Sequence, residues 1–220
     1  MKRKIITTGD GSKTIQIQDW NEQYHSVHGA VQEAYHVFID HGLNCFTNSD
    51  IAILEIGFGT GLNALITWIM SERLNLDVTY TGVEAYPVSS EEIQELDYIS
   101  RLEAESHSNG FEKMHASNWE ETVHISKKFK LLKQQKDFLR IADENRFDLI
   151  YFDAFGARVQ PELWTAVIFE KMFNALKKGG ILVTYSAKGS VRRAMQCVGF
   201  TVERLPGPPG KREMLRARKI

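Results

Sequence analysis

From residue 51 onward the sequence alternates short apolar segments with amphipathic ones, and this alternation limits the chain to one class of fold. Residues 51–56 and 147–152 are almost wholly apolar, which is typical of strands buried on both faces of a parallel sheet. Residues 78–83 are expected to form the strand that follows 51–56. Residues 62–70 carry apolar side chains at helical spacing between the first two strands. The sequence therefore predicts an open, doubly wound α/β sheet with helices on both faces.

The segments on either side of this pattern complete the predicted fold. Helices are expected over 161–176 and 191–198, and strands over 181–185, 200–205 and 214–217, with the glycines at 179–180 ending the first helix. The last two strands are joined by a short Gly-Pro connection, so the final strand should be inserted antiparallel. Before residue 49, a turn at 9–12 predicts a hairpin and 29–41 a helix. We expect one domain, with 1–48 as an N-terminal elaboration and 49–220 as a Rossmann-like core.

Composition places the chain among folded globular proteins and removes several other classes. Hydrophobic residues make up 43% and charged residues 25%, which excludes disorder. No apolar run approaches the roughly 20 residues of a membrane-spanning helix, and no secretory signal follows the basic start, so a cytoplasmic location is expected. Cys45 and Cys197 are predicted to be buried. No metal is expected, because the histidines at 25, 28, 36 and 41 lack completing ligands at the usual spacing.

The net charge of −1 hides an unequal distribution along the chain. Residues 177–220 hold 11 Lys and Arg against 2 Glu, whereas residues 1–176 hold 16 basic and 26 acidic side chains. A segregated basic segment can bind a polyanion such as nucleic acid, because phosphate contacts depend on the local field. The alternative is that these residues only solvate two edge strands and a helix.

The loop after the first strand of the core indicates a nucleotide-like ligand. It reads Glu55-Ile56-Gly57-Phe58-Gly59-Thr60-Gly61, in which glycines allow a tight turn and close approach of a ligand to the backbone. A dinucleotide fingerprint would need its third glycine at Leu62. The motif instead resembles the first motif of class I S-adenosylmethionine-dependent methyltransferases. That likeness implies that the three glycines pack against the amino acid part of the cofactor and that Glu55 lies near its ammonium group.

The next two strand ends offer further cofactor contacts. Glu84 follows the strand 78–83, where a carboxylate can accept hydrogen bonds from both ribose hydroxyls. An amide near the end of the following strand, Gln135 in the pair Gln134-Gln135, is the candidate for the adenine amino group.

Asp153 and Phe155 follow the strand 147–152, at the edge where ligands bind in such sheets. A carboxylate beside an aromatic ring suits methylation of an amine, since Asp153 can orient the nitrogen lone pair and Phe155 can face the cationic product. Positioning should contribute more than proton abstraction, because an ordinary Asp has a pKa of about 3.9 and is a poor base. The alternative is that Asp153 is a cap and Phe155 a core residue.

Together these residues resemble the methyltransferase part of MnmC-type tRNA 5-methylaminomethyl-2-thiouridine biosynthesis enzymes and their single-domain relatives, called MnmD. The likeness spans essentially the whole chain, and the runs GFGTGLN at 57–63 and GKREML at 210–215 are its most specific parts. The other matching motifs are Asp10-Gly11-Ser12, Tyr24-His25-Ser26, Glu33, Val37-Phe38, Glu84-Ala85-Tyr86-Pro87, Asp153-Ala154-Phe155, Pro161-Glu162-Leu163-Trp164, Ser186-Ala187, Val191-Arg192-Arg193 and Gly199-Phe200.

The resemblance implies methyl transfer from S-adenosylmethionine to the exocyclic amine of 5-aminomethyl-2-thiouridine at the tRNA wobble position. It implies that Gly57, Gly59, Gly61, Glu84 and Asp153 line the cofactor and reaction site. Tyr24 and Glu33 are then candidates to close over the modified base. The residues expected to contact the tRNA backbone, at the anticodon stem-loop, are Arg192, Arg193, Lys211 and Arg212.

The sequence also departs from the family pattern. Larger MnmC proteins continue into a flavin-dependent oxidoreductase, so a chain ending at residue 220 is expected to methylate without performing that step. Gln134-Gln135 stands where relatives often have Gly-Asp near the adenine. Two other functions remain open, a methyltransferase for small-molecule amines and a tRNA-binding protein without turnover.

Overall fold

An eight-stranded sheet forms the centre of the molecule, as the alternating pattern predicts. The structure, a computed structural model, describes residues 2–220. The strands are β1 Arg3–Thr7, β2 Lys13–Ile17, β3 Glu22–Gln23, β4 Asp50–Ile56, β5 Asp77–Glu84, β6 Thr122–His124, β7 Phe129–Gln135, β8 Phe147–Phe152, β9 Leu176–Thr184, β10 Thr201–Pro206 and β11 Glu213–Arg218. The α-helices are α1 Ala30–Ala34, α2 Leu62–Arg73, α3 Ser90–Gln94, α4 Tyr98–Arg101, α5 Ser108–Ala116, α6 Ala166–Ala175 and α7 Gly189–Cys197. Within residues 2–220, every helix is too short or too polar to traverse a bilayer.

The strand order of the large sheet is β10-β11-β9-β8-β4-β5-β7-β6. Strands β7, β5, β4, β8 and β9 are parallel, whereas β11 is antiparallel to both β9 and β10. This confirms the predicted doubly wound, class I methyltransferase-like sheet with an inserted antiparallel last strand. The chain leaves β4 in one direction towards β5 and later returns on its other side as β8. Ligands bind at such a switch point, outside the carboxyl ends of the strands.

Alternation along the strands divides the core into two layers. Ile53 of β4 packs with α2 and α5 on one face, whereas its neighbour Leu54 packs with α6 and α7 on the other. Both side chains are fully buried, since successive residues of a strand point to opposite faces. The helices therefore hold the carboxyl ends of β4 and β8 in fixed positions.

The N-terminal segment forms the predicted hairpin and helix, with two additions. Strands β1 and β2 pair antiparallel, and the short β3 pairs with β2. The helix begins as α1 and continues as a π-helix over Tyr35–Asp40. Arg3 donates hydrogen bonds to the carbonyl oxygens of Tyr86 and Pro87, which fixes this small sheet beside the end of β5. The segment thus covers the edge where ligands bind.

Two predicted boundaries and the state of the cysteines need correction. The helix expected over 161–176 is a 3-10 turn, Pro161–Trp164, followed by α6, because Thr165 is extended and the Trp164 indole is held by the carbonyl oxygen of Phe155. Strand β9 begins at Leu176, which is buried and pairs with Phe147, so the glycines at 179–180 lie in an irregular part of the strand and do not end a helix. Cys45 and Cys197 are exposed.

Candidate active site

A cavity of about 410 Å³ lies between the carboxyl ends of the central strands and the N-terminal segment. Its floor comes from the loop after β4 and the residues after β5, β7 and β8, and its roof from residues 20–28 and Glu33. A volume of this size suits a ligand of nucleoside dimensions. Of the residues predicted for the site, those that line the cavity are Tyr24, Glu33, Gly57, Gly59, Glu84, Asp153, Phe155 and Lys211.

The glycine loop crosses the floor with all three glycines at positive φ, namely +91° at Gly57, +50° at Gly59 and +74° at Gly61. The amides of Gly57 and Phe58 both donate to the carbonyl oxygen of Val83 at 3.0 Å, which closes the turn onto β5. A Cβ atom on Gly57 would lie 2.7 Å from the carbonyl oxygen of Asp153. Glycine at 57 is therefore required both by its backbone conformation and by the close approach of the chain carrying Asp153.

Replacing Gly57 by Ala is expected to lower the free energy of unfolding by about 2–4 kcal/mol, the sum of a left-handed backbone penalty and a steric contact. Gly179→Ala is the matched control, because Gly179 has φ of +81° with no atom near its would-be Cβ. The control should lose only about 1–2 kcal/mol. Urea denaturation of the two variants measures the difference, and equal losses would contradict a role for the contact with Asp153.

Glu84 lies at the end of β5 with its carboxylate fixed by backbone amides. Its Oε2 accepts from the Gly59 amide at 3.1 Å and its Oε1 from the Tyr86 amide at 2.9 Å. Burial raises the pKa of Glu84, while these two hydrogen bonds oppose that effect. Each carboxylate oxygen retains a lone pair, and the residue lines the cavity, so the geometry suits acceptance of two hydroxyl protons.

Glu55 does not reach the cavity, which corrects its expected contact with a cofactor ammonium group. It is fully buried beneath the loop, because it faces the α2 side of β4. Its Oε1 accepts from Asn63 Nδ2 at 2.9 Å and its Oε2 from the Tyr80 hydroxyl at 2.8 Å. Burial raises the pKa of Glu55 well above its usual range. Asn63 links Glu55 to the cavity, because its Nδ2 also donates to Asp153 Oδ2 at 2.9 Å.

Gln135 also lies away from the cavity. It is exposed at the last position of β7, and its backbone amide donates to Glu120 at 2.8 Å. The chain reaches the cavity only after turning, at Asp137, Phe138 and Leu139. Asp137 caps the short helix Phe138–Arg140 by accepting from the Leu139 amide. Asp137, two residues beyond Gln135, is the acid that lines the cavity.

Asp153 sits at the switch point, where its backbone amide donates to the carbonyl oxygen of Ile56 at 2.9 Å. Burial, and next the negative charge of Glu33, raise the pKa of Asp153 well above its usual range, and the hydrogen bond from Asn63 opposes this. The expectation that Asp153 is a poor base with an ordinary pKa therefore needs correction. A carboxylate with a raised pKa is a better proton acceptor near neutral pH.

Aromatic rings form the wall opposite the glycine loop. Phe155 contacts Tyr24 edge to face at a centroid distance of 4.9 Å and Trp20 in the same manner at 5.7 Å. Tyr24 also packs over Gly59, since a Cβ there would lie 3.0 Å from the tyrosine ring. Trp20 also lines the cavity and is not among the residues predicted for the site. Its position in a polar stretch between two strands was the only available signal.

Lys211 points into the cavity, which corrects its assignment to a nucleic acid backbone contact. Its ammonium group forms an ion pair with Glu33. It also lies 4.0 Å from the centroid of the Tyr185 ring. Glu33 in turn accepts a hydrogen bond from the Ser26 amide at 3.2 Å. The connection before β11 thus delivers a cation to the site.

The other basic residues of the C-terminal segment lie in several places. Arg193 and Arg212 are exposed and Arg192 is half-buried, and none of the three lines the cavity. Arg192 and Arg193 belong to the first turns of α7, which follows the carboxyl end of β9, and Arg212 immediately precedes β11. Lys177, Lys178 and Lys219 lie at the end of the sheet away from the cavity, where the parallel strands begin. Arg204 and Arg216 pair with Glu213 and Glu203. Only part of the basic segment therefore faces the cavity edge.

The residues present fit S-adenosylmethionine. A Cβ on Gly59 would project towards Tyr24 across the cavity, so glycine leaves this part of the floor open, and Glu84 presents acceptors for hydroxyl groups. Asn63 lines the same cavity, and among the described residues its buried Oδ1 has no hydrogen-bond partner, so it is available to an ammonium donor. Within residues 2–220 no three His, Cys, Asp or Glu side chains are grouped to hold a metal ion. The fold and cavity are those of a Rossmann-like methyltransferase.

Comparisons with known proteins agree with this class. A family model described as S-adenosyl-L-methionine-dependent methyltransferase matches residues 103–220, more than half of the chain. The chain belongs to this family of enzymes. The crystal structure of MnmC2 from Aquifex aeolicus superimposes with a TM-score of 0.80 at 25% identity, covering 99% of this chain and 70% of that one. Spermidine synthase from Thermotoga maritima shares the fold alone, with a TM-score of 0.53 at 13% identity, covering 97% and 70%.

Curated relatives confirm the likeness to MnmC-type proteins. The tRNA 5-methylaminomethyl-2-thiouridine biosynthesis bifunctional protein MnmC of Aromatoleum aromaticum is 30% identical over 235 residues, covering 98% of this chain and 35% of the relative. The protein of the same name from Leptospira interrogans is 29% identical over 216 residues, covering 90% and 32%. The chain therefore spans about one third of the length of these relatives.

Proposed function

We propose that this enzyme transfers a methyl group from S-adenosylmethionine to the aminomethyl nitrogen of 5-aminomethyl-2-thiouridine at the tRNA wobble position, giving 5-methylaminomethyl-2-thiouridine. The observation that carries the proposal is the position of Asp153, between the glycine loop and the aromatic wall of one cavity. The names of the relatives support tRNA as the substrate. Cytoplasmic action follows from that substrate. We also propose that the chain forms one domain, in which residues 49–220 are the core and residues 1–48 an N-terminal elaboration.

Each part of the cofactor has candidate partners among the residues lining the cavity. Gly57, Gly59 and the nearby Gly61 form the cradle for the amino acid part, with Asn63 as acceptor for its ammonium group. Glu84 receives the ribose hydroxyls, and the segment Asp137–Leu139 replaces Gln135 as the candidate for the adenine. When bound, the cofactor supplies a methyl group activated by attachment to a sulfonium.

The protein side of the reaction centres on Asp153. An alkylammonium must lose a proton before its nitrogen can attack, and the raised pKa of Asp153 suits the carboxylate to accept that proton. Asn63 holds one oxygen of Asp153, so the other remains for the amine. The rings of Tyr24, Phe155 and Trp20 offer a surface for the pyrimidine base and a favourable face for the cationic product. These groups orient the amine and exclude water.

Incubation of the protein with cofactor labelled in its methyl group tests the function. The expected result is label in tRNA that carries 5-aminomethyl-2-thiouridine, and none in tRNA with an unmodified wobble uridine. Label in small primary amines but not in tRNA would support a small-molecule methyltransferase. Binding of tRNA with no transfer of label to either substrate would support a protein without turnover.

The exposed arginines near the cavity edge are proposed to contact tRNA phosphates. Arg193→Ala combined with Arg212→Ala is expected to weaken tRNA binding and to reduce the slope of log K against log salt by up to about 2, one for each lost phosphate contact. The matched control is Lys127→Ala with Lys178→Ala, two exposed lysines at the opposite edge of the sheet. Filter binding at several salt concentrations measures the slopes, and equal slopes for both double variants would remove this edge from the interface.

A further inference from the structure

The cavity holds a cation of its own directly beside the proposed reaction centre. Lys211 extends from the connection before β11 and forms an ion pair with Glu33 of α1 over the face of the Tyr185 ring. Glu33 is 8% exposed, so the pair is shielded from solvent on the carboxylate side. The Tyr185 hydroxyl donates to the carbonyl oxygen of Ala154 at 2.8 Å, which fixes the ring next to Asp153.

The charged and titratable groups around this cation come from every element packed against it. Asp153 follows β8, Glu33 belongs to α1, and Tyr185 follows β9. His28, before α1, contacts Gly210, the residue preceding Lys211. Glu22 of β3 lies near Gly156 and is neutralised by Arg158. Glu84, Asp137 and Glu162 also line the cavity. Lys211 pairs directly with Glu33, and the charges of both residues act on Asp153.

The chemistry of amine methylation gives this arrangement a consequence. The nitrogen must enter the reaction neutral, because the lone pair that forms the new N–C bond is occupied by a proton in the ammonium form. Two carboxylates facing an amine favour its ammonium form, whereas a nearby ammonium group disfavours it. At separations of a few ångströms in a partly desolvated site, one unit charge changes such an equilibrium by about tenfold or more.

We propose that Lys211 is a positioning residue that neutralises Glu33, so that the substrate amine meets Asp153 without the added negative charge of Glu33 and reacts in its neutral form. The inference rests on the proposed function and adds a specific role to this pair. The amine first gives its proton to Asp153, and its lone pair then forms the N–C bond as the S–C bond breaks. The secondary ammonium product carries the positive charge that the sulfonium loses. Lys211 keeps its own proton throughout.

The pH profile of kcat/KM for tRNA methylation tests the proposal in four variants. Lys211→Met should lower kcat/KM about tenfold at pH 7 and move the acidic limb up by about one pH unit, so that most activity returns near pH 9. Lys211→Arg should retain the wild-type profile, because its charge persists. Glu33→Gln, which leaves the lysine without its counter-charge, should move the limb down. The double variant Glu33→Gln with Lys211→Met should return it towards wild type.

Controls separate this role from a structural one. Lys178→Met, at an exposed lysine on the far edge of the sheet, should leave the profile unchanged. A loss in Lys211→Met that is the same at every pH, and no restoration in the double variant, would overturn the proposal. Opposite shifts of the acidic limb in the two single variants support the proposal. If Lys211→Met fails to fold, the direction of the shift in Glu33→Gln tests it alone. If wild type transfers no label to tRNA, the proposed function fails and this inference falls with it. Normal wild-type transfer with unshifted profiles overturns the inference alone.

Discussion

Asp153→Asn is expected to lower the rate of methyl transfer about 10²- to 10⁴-fold, the usual range for loss of a positioned proton acceptor. The variant keeps the shape of the side chain but removes the negative charge that receives the amine proton. Burial and the neighbouring Glu33 raise the pKa of Asp153, so the native carboxylate accepts a proton more readily than an ordinary Asp. An amide at this position offers no comparable acceptor.

Single-turnover transfer and calorimetric cofactor binding, measured side by side, distinguish the two possible roles of Asp153. Cofactor affinity should stay within about tenfold of wild type, because the carboxylate lies beside the cradle and contributes little to it. Asp148→Asn is the control on the same strand, since Asp148 pairs with Lys177 at the far end of β8. Its transfer rate should change less than about twofold. Parallel losses of affinity and rate in Asp153→Asn would assign the residue to binding.

Backbone geometry explains which features of the site could be predicted from sequence. The carboxyl ends of parallel strands meet at one edge of a sheet, so the glycine loop, Glu84 and Asp153 had to converge once their strands were recognised. Gly57, Gly59 and Gly61 all adopt positive φ, which the residue type itself indicates. Each of these predictions depends on the position of a residue along its strand and not on the direction of a long side chain.

Side-chain direction explains the errors. Glu55 shares with Ile53 the face of β4 that packs on α2, so strand alternation sends its carboxylate beneath the loop to Asn63. Alternation is visible in the sequence, and this error was therefore avoidable. Lys211 was assigned to a solvent-facing basic segment, but its partner Glu33 is 178 residues away. Only the tertiary fold shows that contact, because no local pattern specifies which distant carboxylate a flexible lysine meets.

The local sequence pattern also could not predict how the N-terminal segment covers the cavity. The hairpin and helix were predicted from turn residues and helical spacing, but neither specifies where the small sheet docks. Its position depends on Arg3, which reaches the carbonyl oxygens after β5 and the Glu92 carboxylate. Docking brings Trp20 and Tyr24 over the cavity. Arg158 adds a second long-range contact by donating to the carbonyl oxygen of Trp20 at 3.0 Å. A turn residue such as Trp20 becomes part of the site through contacts of this kind.

Glu84→Ala is expected to weaken S-adenosylmethionine binding about 100-fold, because two hydrogen bonds to a charged acceptor contribute about 1.5 kcal/mol each at the low end of their range. The same change leaves the amides of Gly59 and Tyr86 without their acceptor. Glu84→Gln keeps one acceptor oxygen, so it should lose only about tenfold in affinity. Glu91→Gln, at an exposed acid in α3, is the matched control and should bind as wild type. Calorimetry with the cofactor and with its 2′-deoxy analogue identifies the group involved. Wild type should discriminate strongly between the two ligands, whereas Glu84→Ala should bind them alike. Continued discrimination in the variant would show that another residue holds the ribose.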